Sequence, residues 1–240
     1  MGFLKKVKNF YKIHIIKNDH AITLAKWFKD EGDKNHRLNY PLTSESIVFD
    51  LGGYKGDFAA GIYDKYNCYV HIFEPVKEYY LYIVNRFQRN KKIKCFNYGL
   101  SNKNDSFLIN VDGDRSSLTK LTHPQSTPYH SDFQEKVLIK SFSEELKILK
   151  VEYIDLLKIN IEGSEFLLLQ DIISKRLIGK IKHLQVQFHT FYPNSKKLRD
   201  EIREKLSESH EQEWNYPFVW ESWKKKRSQS DHSDQSKIDI

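Results

Sequence analysis

Short β-rich runs alternate with helical segments from residue 46 onward. The run "SIVFDL" (46–51) precedes a helix that begins near Gly56, and "CYVHIFEP" (68–75) precedes "VKEYYLYIVNRFQRN". Later, "YIDLLKINIEG" precedes "SEFLLLQDIISKRL", and "KHLQVQFH" precedes "KKLRDEIREKLSES". Between these pairs, "KIKCFNYGL" has the pattern of a third strand, followed by a polar turn and "SFLINV". A strand followed by a helix, repeated along the chain, predicts an α/β fold with a mostly parallel sheet and helices on both faces.

The flanking segments differ in pattern from this repeat. Residues 1–45 are predicted to form an N-terminal helical extension, whose short apolar face either packs on the next domain or lies on a membrane. Residues 46–223 form the predicted α/β domain, and residues 224–240 form a basic and polar tail with the composition of a disordered segment. Residues 112–134 are rich in Ser, Thr and Pro, which is typical of a lid, a binding loop or a disordered insertion.

Composition narrows the class of protein and of partner. The sequence has no apolar run of about 18 residues and no typical leader at its start, so we expect a cytoplasmic protein, with peripheral contact at the inner membrane face as an alternative. The net charge of +7 suits phosphorylated acceptors, anionic lipid or nucleic acid. The two cysteines, Cys68 and Cys95, are predicted to be buried thiols rather than a disulfide or metal site.

The first strand is followed by an acidic, glycine-rich turn with the pattern Asp50-x-Gly52-Gly53-x-x-Gly56. A dinucleotide fingerprint has three glycines, G-x-G-x-x-G, and its backbone amides bind a pyrophosphate. Here the first glycine is replaced by Asp50, whose carboxylate would repel phosphate. The turn therefore favours a nucleoside ligand that lacks phosphates and carries a positive group.

S-adenosylmethionine (SAM) has this chemistry, because it joins an adenosine to a sulfonium and an amino-acid end. Asp50 and the ring of Tyr54 would attract the cation, and the glycines would allow close approach of the backbone. Glu74 ends the second strand, where α/β nucleotide sites place the acid that binds ribose hydroxyls. A nicotinamide nucleotide and a purely structural turn remain alternatives.

Five stretches of the sequence resemble the FkbM-type SAM-dependent methyltransferases: "VFDLGGYKGDFA", "VHIFEPVKEYY", "FNYGLSN", "YIDLLKINIEGSEFLLLQ" and "HLQVQFHTFYP". They come in the family's order and span about residues 46–192, while "NYPFVWESW" is similar to a subgroup associated with surface-glycan synthesis. The resemblance implies a Rossmann-like class I methyltransferase fold and O-methylation, commonly of a sugar hydroxyl. The acceptor would be a nucleotide-linked, lipid-linked or polymeric glycan.

The resemblance also assigns residues. Asn97 and Gly99 match the stretch that shapes the adenine side of the pocket, and Ser116 and Ser117 match a serine pair that we assign to the acceptor or cofactor rim. The chain departs from the family pattern at Asn160, where the family usually has Asp. Asparagine cannot act as a general base, so any such role of this position is in doubt.

Methyl transfer to a hydroxyl needs a positioned acceptor and a group that takes the proton. His189 is our first candidate for that base, because it ends a strand at the expected rim and titrates near neutral pH. A structural role for His189 is the alternative. Glu162 is predicted to lie in the site, and Glu165 to cap the helix that follows.

Further polar residues at this rim are candidates for the acceptor or a metal. Lys158 either contacts the acceptor or neutralises Glu162, and strand alternation places Gln187 beside His189. Asn160, Glu162 and His189 together could bind Mg²⁺, an alternative that the missing Asp weakens. The aromatic residues Phe191 and Tyr192 could stack on a sugar ring.

Two other functions compete with sugar methylation. A nucleic-acid or small-molecule methyltransferase would suit the positive charge, but the sequence lacks [DN]-P-P-[YF], so we expect no nucleic-acid partner. A non-catalytic module that binds SAM or a glycan is the other alternative, and Asn160 is the residue that favours it.

Overall fold

The computed structural model describes residues 19–110 and 134–227. The helices are α1 (Asp19–Lys29), α2 (Gly32–Asn35), α3 (Asp57–Tyr66), α4 (Lys77–Phe87), α5 (Phe142–Ile148), α6 (Glu165–Ser174) and α7 (Ser195–Ser209), with a 3₁₀ helix at Leu177–Lys180. The strands are β1 (Ile47–Leu51), β2 (Tyr69–Phe73), β3 (Ile93–Phe96), β4 (Gly99–Ser101), β5 (Asp105–Asn110), β6 (Gln134–Ser141), β7 (Ile154–Ile159), β8 (Ile181–Val186), β9 (His210–Tyr216) and β10 (Trp220–Lys225).

Seven strands form the main sheet in the order β3-β2-β1-β7-β8-β10-β9. The pairs from β3 to β8 are parallel, and β10 is antiparallel to both of its neighbours. Side chains of β1 alternate between two cores: Val48 packs with Phe58 of α3, whereas Phe49 packs with Phe142 and Phe166 of α5 and α6. The sheet is therefore covered by helices on both faces, which confirms the predicted α/β architecture.

A second sheet of three strands, β4-β6-β5, lies beside the first. The sequence pattern predicted one strand over residues 92–100, but the chain leaves the main sheet after Phe96 and β4 pairs with β6 instead. Asn97 makes this change of direction, because its amide donates hydrogen bonds to the carbonyls of Glu74 and Pro75 at 3.1 and 3.0 Å. The inner face of the small sheet, through Val137 and Ile139, packs against Tyr79 of α4.

The described part of the N-terminal extension packs on the domain. Trp27 of α1 is only 2% exposed and its ring lies 5.0 Å from that of Tyr216 and 5.8 Å from that of Trp214. Tyr40 and Leu42 belong to the same buried cluster as Val48.

Parts of three predicted segments lie outside the described residues: residues 1–18, most of the 112–134 loop with Ser116 and Ser117, and residues 228–240. At the C-terminal end, β10 continues to Lys225, two residues into the predicted tail. No helix among the described residues is long and apolar enough to cross a bilayer.

Candidate active site

The glycine turn after β1 has a backbone that most residues could not adopt. Gly52 and Gly56 both have φ of 78°, and Tyr54 between them has φ of 48°. A Cβ on Gly52 would lie 1.9 Å from the carbonyl oxygen of Asn160, and one on Gly53 would lie 2.2 Å from Cγ2 of Ile72. These glycines are needed because the turn runs against β2 and the end of β7, leaving space for hydrogen atoms only.

A buried ion pair lies directly beneath this turn. Lys158 Nζ donates to Asp50 Oδ1 at 2.7 Å and to the carbonyls of Gly52 and Leu51 at 2.9 and 3.3 Å. Both side chains are buried. Asp50 and Lys158 meet because β1 and β7 are adjacent strands and the two residues are register partners. Burial lowers the pKa of Lys158, an effect that the Asp50 carboxylate opposes.

This placement corrects two expectations. Lys158 has no proton left for an acceptor or for Glu162, since its three hydrogen bonds go to Asp50 and the turn. The Asp50 carboxylate is neutralised by Lys158 rather than open to a sulfonium. The second carboxylate oxygen of Asp50, Oδ2, is buried and has no hydrogen-bond partner among the described residues. It lies close to the glycine turn, 3.9 Å from the position that a Cβ on Gly53 would take.

Glu74 links the ends of β1 and β2. Its Oε2 accepts from the backbone N–H of Tyr54 at 2.8 Å, and its Oε1 accepts from that of Val76 at 2.9 Å. Burial raises the pKa of Glu74 to about 7, although both hydrogen bonds favour the ionised form. Glu74 therefore titrates near neutral pH at the wall of the pocket.

A cavity of about 140 Å³ opens above the turn. Residues predicted to bind the cofactor line it together with an apolar wall from α4 and the small sheet: Gly52, Tyr54, Glu74, Gly99, Val76, Tyr79, Leu100, Ile109 and Ile139. Asn160 also lines the cavity, and its buried Oδ1 has no hydrogen-bond partner among the described residues.

These features fit SAM. The orphaned Oδ1 of Asn160 faces the cavity and needs a donor, which the amino group or a hydroxyl of this ligand would supply. The apolar wall suits a purine ring, and the turn exposes backbone rather than side chains to the ligand.

Beside the cavity, a histidine lies between two carboxylates. His189 Nδ1 lies 3.0 Å from Glu165 Oε1, and His189 Nε2 lies 3.3 Å from Glu162 Oε1. Glu165 is fully buried and also accepts from the backbone N–H groups of His189 and Gly163, at 2.9 and 2.7 Å. It therefore fixes both the histidine and the turn before α6, a larger role than the helix cap that we predicted.

The protonation of His189 follows from this geometry. Burial alone would lower the pKa of the imidazole, but the hydrogen bonds and charges of Glu162 and Glu165 outweigh it and raise the pKa to about 10. At neutral pH His189 is thus an imidazolium, which has no lone pair to accept a proton. The role of general base that the sequence suggested for His189 does not fit this state.

Glu162 lies between the cofactor cavity and His189. It lines the cavity and pairs with His189, and it has φ of 51°, which is rare for a residue with a side chain. Residues held in this strained region cluster at functional sites. The ring of Phe191, 53% exposed, lies 5.2 Å from the His189 ring.

The alternative of a magnesium site at Asn160, Glu162 and His189 is not supported by this arrangement. Among residues 19–110 and 134–227, no three His, Cys, Asp or Glu side chains form a cluster that could hold a metal ion.

Of the remaining predicted residues, Gly99 lines the cavity and the others lie around it or outside the described residues. Gly99 lines the cavity, whereas the amide of Asn97 binds the backbone behind Glu74. Gln187 lies just beyond β8, half-buried, where its backbone N–H donates to Ile159 at 3.0 Å. Ser116 and Ser117 lie outside the described residues.

One feature that sequence reasoning missed is the buried pair of Lys158 and Asp50. A signal was present, because Lys158 interrupts the apolar run "IDLLKINI" and a lysine in a buried strand needs an acidic partner. The partner is 108 residues away in the sequence and becomes a neighbour only through the sheet order.

Comparison with solved structures finds distant likenesses to methyltransferases. A precorrin-6y C5,15-methyltransferase from Geobacter metallireducens is 10% identical with a TM-score of 0.41, over 81% of this chain and 71% of that one. An rRNA methylase from Streptococcus thermophilus is 12% identical with a TM-score of 0.46, over 78% and 90%. TrmK from M. capricolum, in complex with S-adenosyl-homocysteine, is 10% identical with a TM-score of 0.40, over 78% and 65%. No curated protein matches the sequence significantly.

A family model gives the decisive match. The model of the methyltransferase FkbM domain matches residues 50–218, which include the glycine turn, Glu74, Lys158, Glu162 and His189. The matched region contains most of the seven-stranded sheet, which is mostly parallel and is covered by helices on both faces. Because the match covers well over half of the chain, the protein belongs to the FkbM methyltransferase family, whose methyl donor is SAM.

Proposed function

We propose that the protein transfers the methyl group of SAM to a hydroxyl of a sugar, in a surface polysaccharide or another glycan. The observation that carries this proposal is the position of Glu162. Its carboxylate borders the cofactor cavity on one side and is paired with the His189 imidazolium on the other. An acceptor oxygen that approaches the cavity from this side would meet a carboxylate of defined orientation.

Bound SAM supplies an electrophilic methyl group on a sulfonium, and the protein has to orient the acceptor and remove its proton. Glu162 accepts the hydroxyl proton as the oxygen–methyl bond forms and the sulfur–methyl bond breaks. The His189 imidazolium holds Glu162 in place, and Glu165 holds His189 through its ring and backbone. The proximity of the acceptor oxygen to the methyl group and the removal of the hydroxyl proton by Glu162 would together accelerate the transfer.

Phe191 supports a sugar as the acceptor. An exposed phenyl ring beside a carboxylate offers an apolar face to the C–H groups of a sugar ring while the carboxylate binds a hydroxyl. The resemblance of the C-terminal "NYPFVWESW" to a glycan-associated subgroup points to the same acceptor class. The proposed acceptors include nucleotide-linked, lipid-linked and polymeric sugars.

The test is transfer of an isotope-labelled methyl group from SAM to a panel of glycosides, nucleotide sugars and oligosaccharides, with tRNA as the competing acceptor. We expect labelled sugar ethers, and Glu162→Gln should lower kcat by about 10²- to 10⁴-fold, since amides cannot take the proton. The matched control, Glu152→Gln, changes an exposed carboxylate outside this site and should leave kcat unchanged.

Two further results decide the acceptor and the base. Phe191→Ala should raise KM for the sugar more than it lowers kcat, if stacking binds the acceptor. Labelling of tRNA but of no sugar would refute the acceptor class, and full activity of Glu162→Gln would refute the proposed base.

A further inference from the structure

A lysine-lined groove lies on the side of the molecule opposite the candidate active site. It has a volume of about 490 Å³ and is formed by the end of α5, the segment before β7, and the segment around the 3₁₀ helix before β8. Because β7 and β8 begin beside the groove, and the segments after their carboxyl ends carry Glu162 and His189, the groove and the cofactor pocket lie at opposite edges of the parallel sheet. Four lysines line it: Lys147, Lys150, Lys175 and Lys180.

Most of this positive charge is not neutralised by the protein. In the described parts of the chain, no carboxylate oxygen lies within 4.0 Å of the ammonium groups of Lys147, Lys150 or Lys180. Lys175 is paired with Asp171 at 2.9 Å, and Glu152 is the carboxylate among the groove's lining residues. The groove therefore has a surplus of cations for an anionic partner.

The end of β10 adds charge to the same edge. Lys225 Nζ donates to the carbonyl of Gly179, in the 3₁₀ helix, at 2.6 Å. Lys226 and Arg227 follow and are exposed. Lys225 therefore adds a positive charge beside the groove, whereas Lys224 is paired with Glu211 at 3.6 Å and Lys226 Nζ donates to the carbonyl of Ser207 at the end of α7.

Two large apolar side chains are exposed beside these lysines. Ile148 is 66% exposed next to Lys147, and Tyr153 is 56% exposed at the start of β7. Lysines alone suit any polyanion, but lysines combined with exposed aliphatic and aromatic groups suit a lipid interface, where the apolar groups enter and the ammonium groups bind headgroups.

We infer that this lysine groove, with Ile148 and Tyr153, binds the protein to an anionic membrane surface. The surface is independent of the proposed acceptor. In this orientation the candidate active site faces away from the bilayer, so acceptors reach it from the aqueous side.

The test measures binding of the full chain to vesicles of phosphatidylcholine alone or with 30 mol% phosphatidylglycerol, as on the order of tens of per cent anionic lipid gives a strong surface potential. We expect binding to the anionic vesicles only, weakened by salt. The triple variant Lys147→Gln, Lys150→Gln and Lys180→Gln should bind about 100-fold more weakly, at about fivefold per lysine.

The matched control is Lys136→Gln, Lys196→Gln and Lys197→Gln, which removes the same charge from exposed lysines elsewhere. It should bind almost as the wild type does. Ile148→Ser should also weaken binding without a change in charge, and an unchanged melting temperature would show that each variant is folded.

Three results would overturn the inference. They are absence of binding to anionic vesicles, equal loss in both triple variants, and tight binding of an oligonucleotide without vesicle binding. Methyl transfer to a soluble acceptor is measured separately, and we expect the groove variants to retain it.

Discussion

Lys158 connects β7, the strand that leads to Glu162, to Asp50 and the glycine turn after β1. Removal of its ammonium would leave the Asp50 carboxylate buried and uncompensated, since Oδ2 already has no partner among the described residues. We expect Lys158→Met to lower the free energy of unfolding by about 3–5 kcal/mol and to abolish SAM binding. Urea denaturation and calorimetric titration measure the two effects.

Lys182→Met is the matched control for this substitution. Lys182 is exposed and forms a surface ion pair with Asp155, so its loss should cost less than about 1 kcal/mol. The double variant Asp50→Asn, Lys158→Met should recover part of the lost stability, because no buried charge remains. Equal stability of Lys158→Met and the wild type would contradict the assigned role.

Glu74 should make both cofactor binding and stability depend on pH. Its pKa is raised to about 7 by burial, so between pH 4.5 and 7 the folded protein retains a proton that the unfolded chain has released. Stability from this group is therefore fully present below about pH 4.5 and is lost as the pH rises through 7. SAM binding has the opposite trend, because ribose hydroxyls donate better to the carboxylate.

The measurement is the SAM dissociation constant from pH 6 to 8 for the wild type and Glu74→Gln. We expect the ratio of variant to wild-type constants to grow with pH. Titration of the SAM amino group affects both proteins alike and cancels in this ratio. A ratio that stays constant across this range would show that Glu74 does not bind the cofactor as a carboxylate.

At the scale of elements, the turn between β1 and α3 is limited by its close contact with the end of β7. Gly52→Ala would place a methyl group 1.9 Å from the carbonyl oxygen of Asn160, at a φ of 78°. To relieve this clash, the turn after β1 would have to move away from the segment that follows β7. We expect a loss of at least about 1–3 kcal/mol in stability and SAM affinity reduced by at least tenfold, as measured by thermal unfolding and calorimetry.

Gly179→Ala is the control for this change. A Cβ at Gly179 would meet nothing within 4 Å, so its effect on stability should stay within about 0.5 kcal/mol. If Gly52→Ala behaved like this control, the turn would have to be more adaptable than its contacts indicate.

Local sequence was sufficient to predict some elements and insufficient for others. The strand–helix alternation predicted the sheet, and Asp50-x-Gly52-Gly53 predicted the pocket, because both depend on residues adjacent in sequence. The break between β3 and β4 was missed, since it depends on hydrogen bonds from Asn97 to a loop more than 20 residues earlier. The charge of His189 was missed for the same reason, because Glu165 becomes its neighbour only when β7 and β8 pair.

At the scale of the whole molecule, the described part of the N-terminal segment, residues 19–45, packs into the core of the domain. Tyr40 packs in the core, and its hydroxyl receives a hydrogen bond from Gln185 at 2.9 Å and lies 3.1 Å from Ser222 Oγ. Gln185 in turn pairs in register with Lys158. A boundary at residue 45, as the sequence suggested, would cut through this core.

Trp27 is the largest anchor of that segment and gives the sharpest test. Its ring packs against Trp214 and Tyr216, so Trp27→Ala would leave a cavity between α1 and the β9–β10 hairpin. We expect a loss of about 3–5 kcal/mol in the free energy of unfolding by urea. Phe28→Ala, at a neighbouring side chain that is 65% exposed, should change it by less than about 0.5 kcal/mol. Similar small effects for both variants would mean that the extension is dispensable, and the domain would then begin where the sequence first suggested.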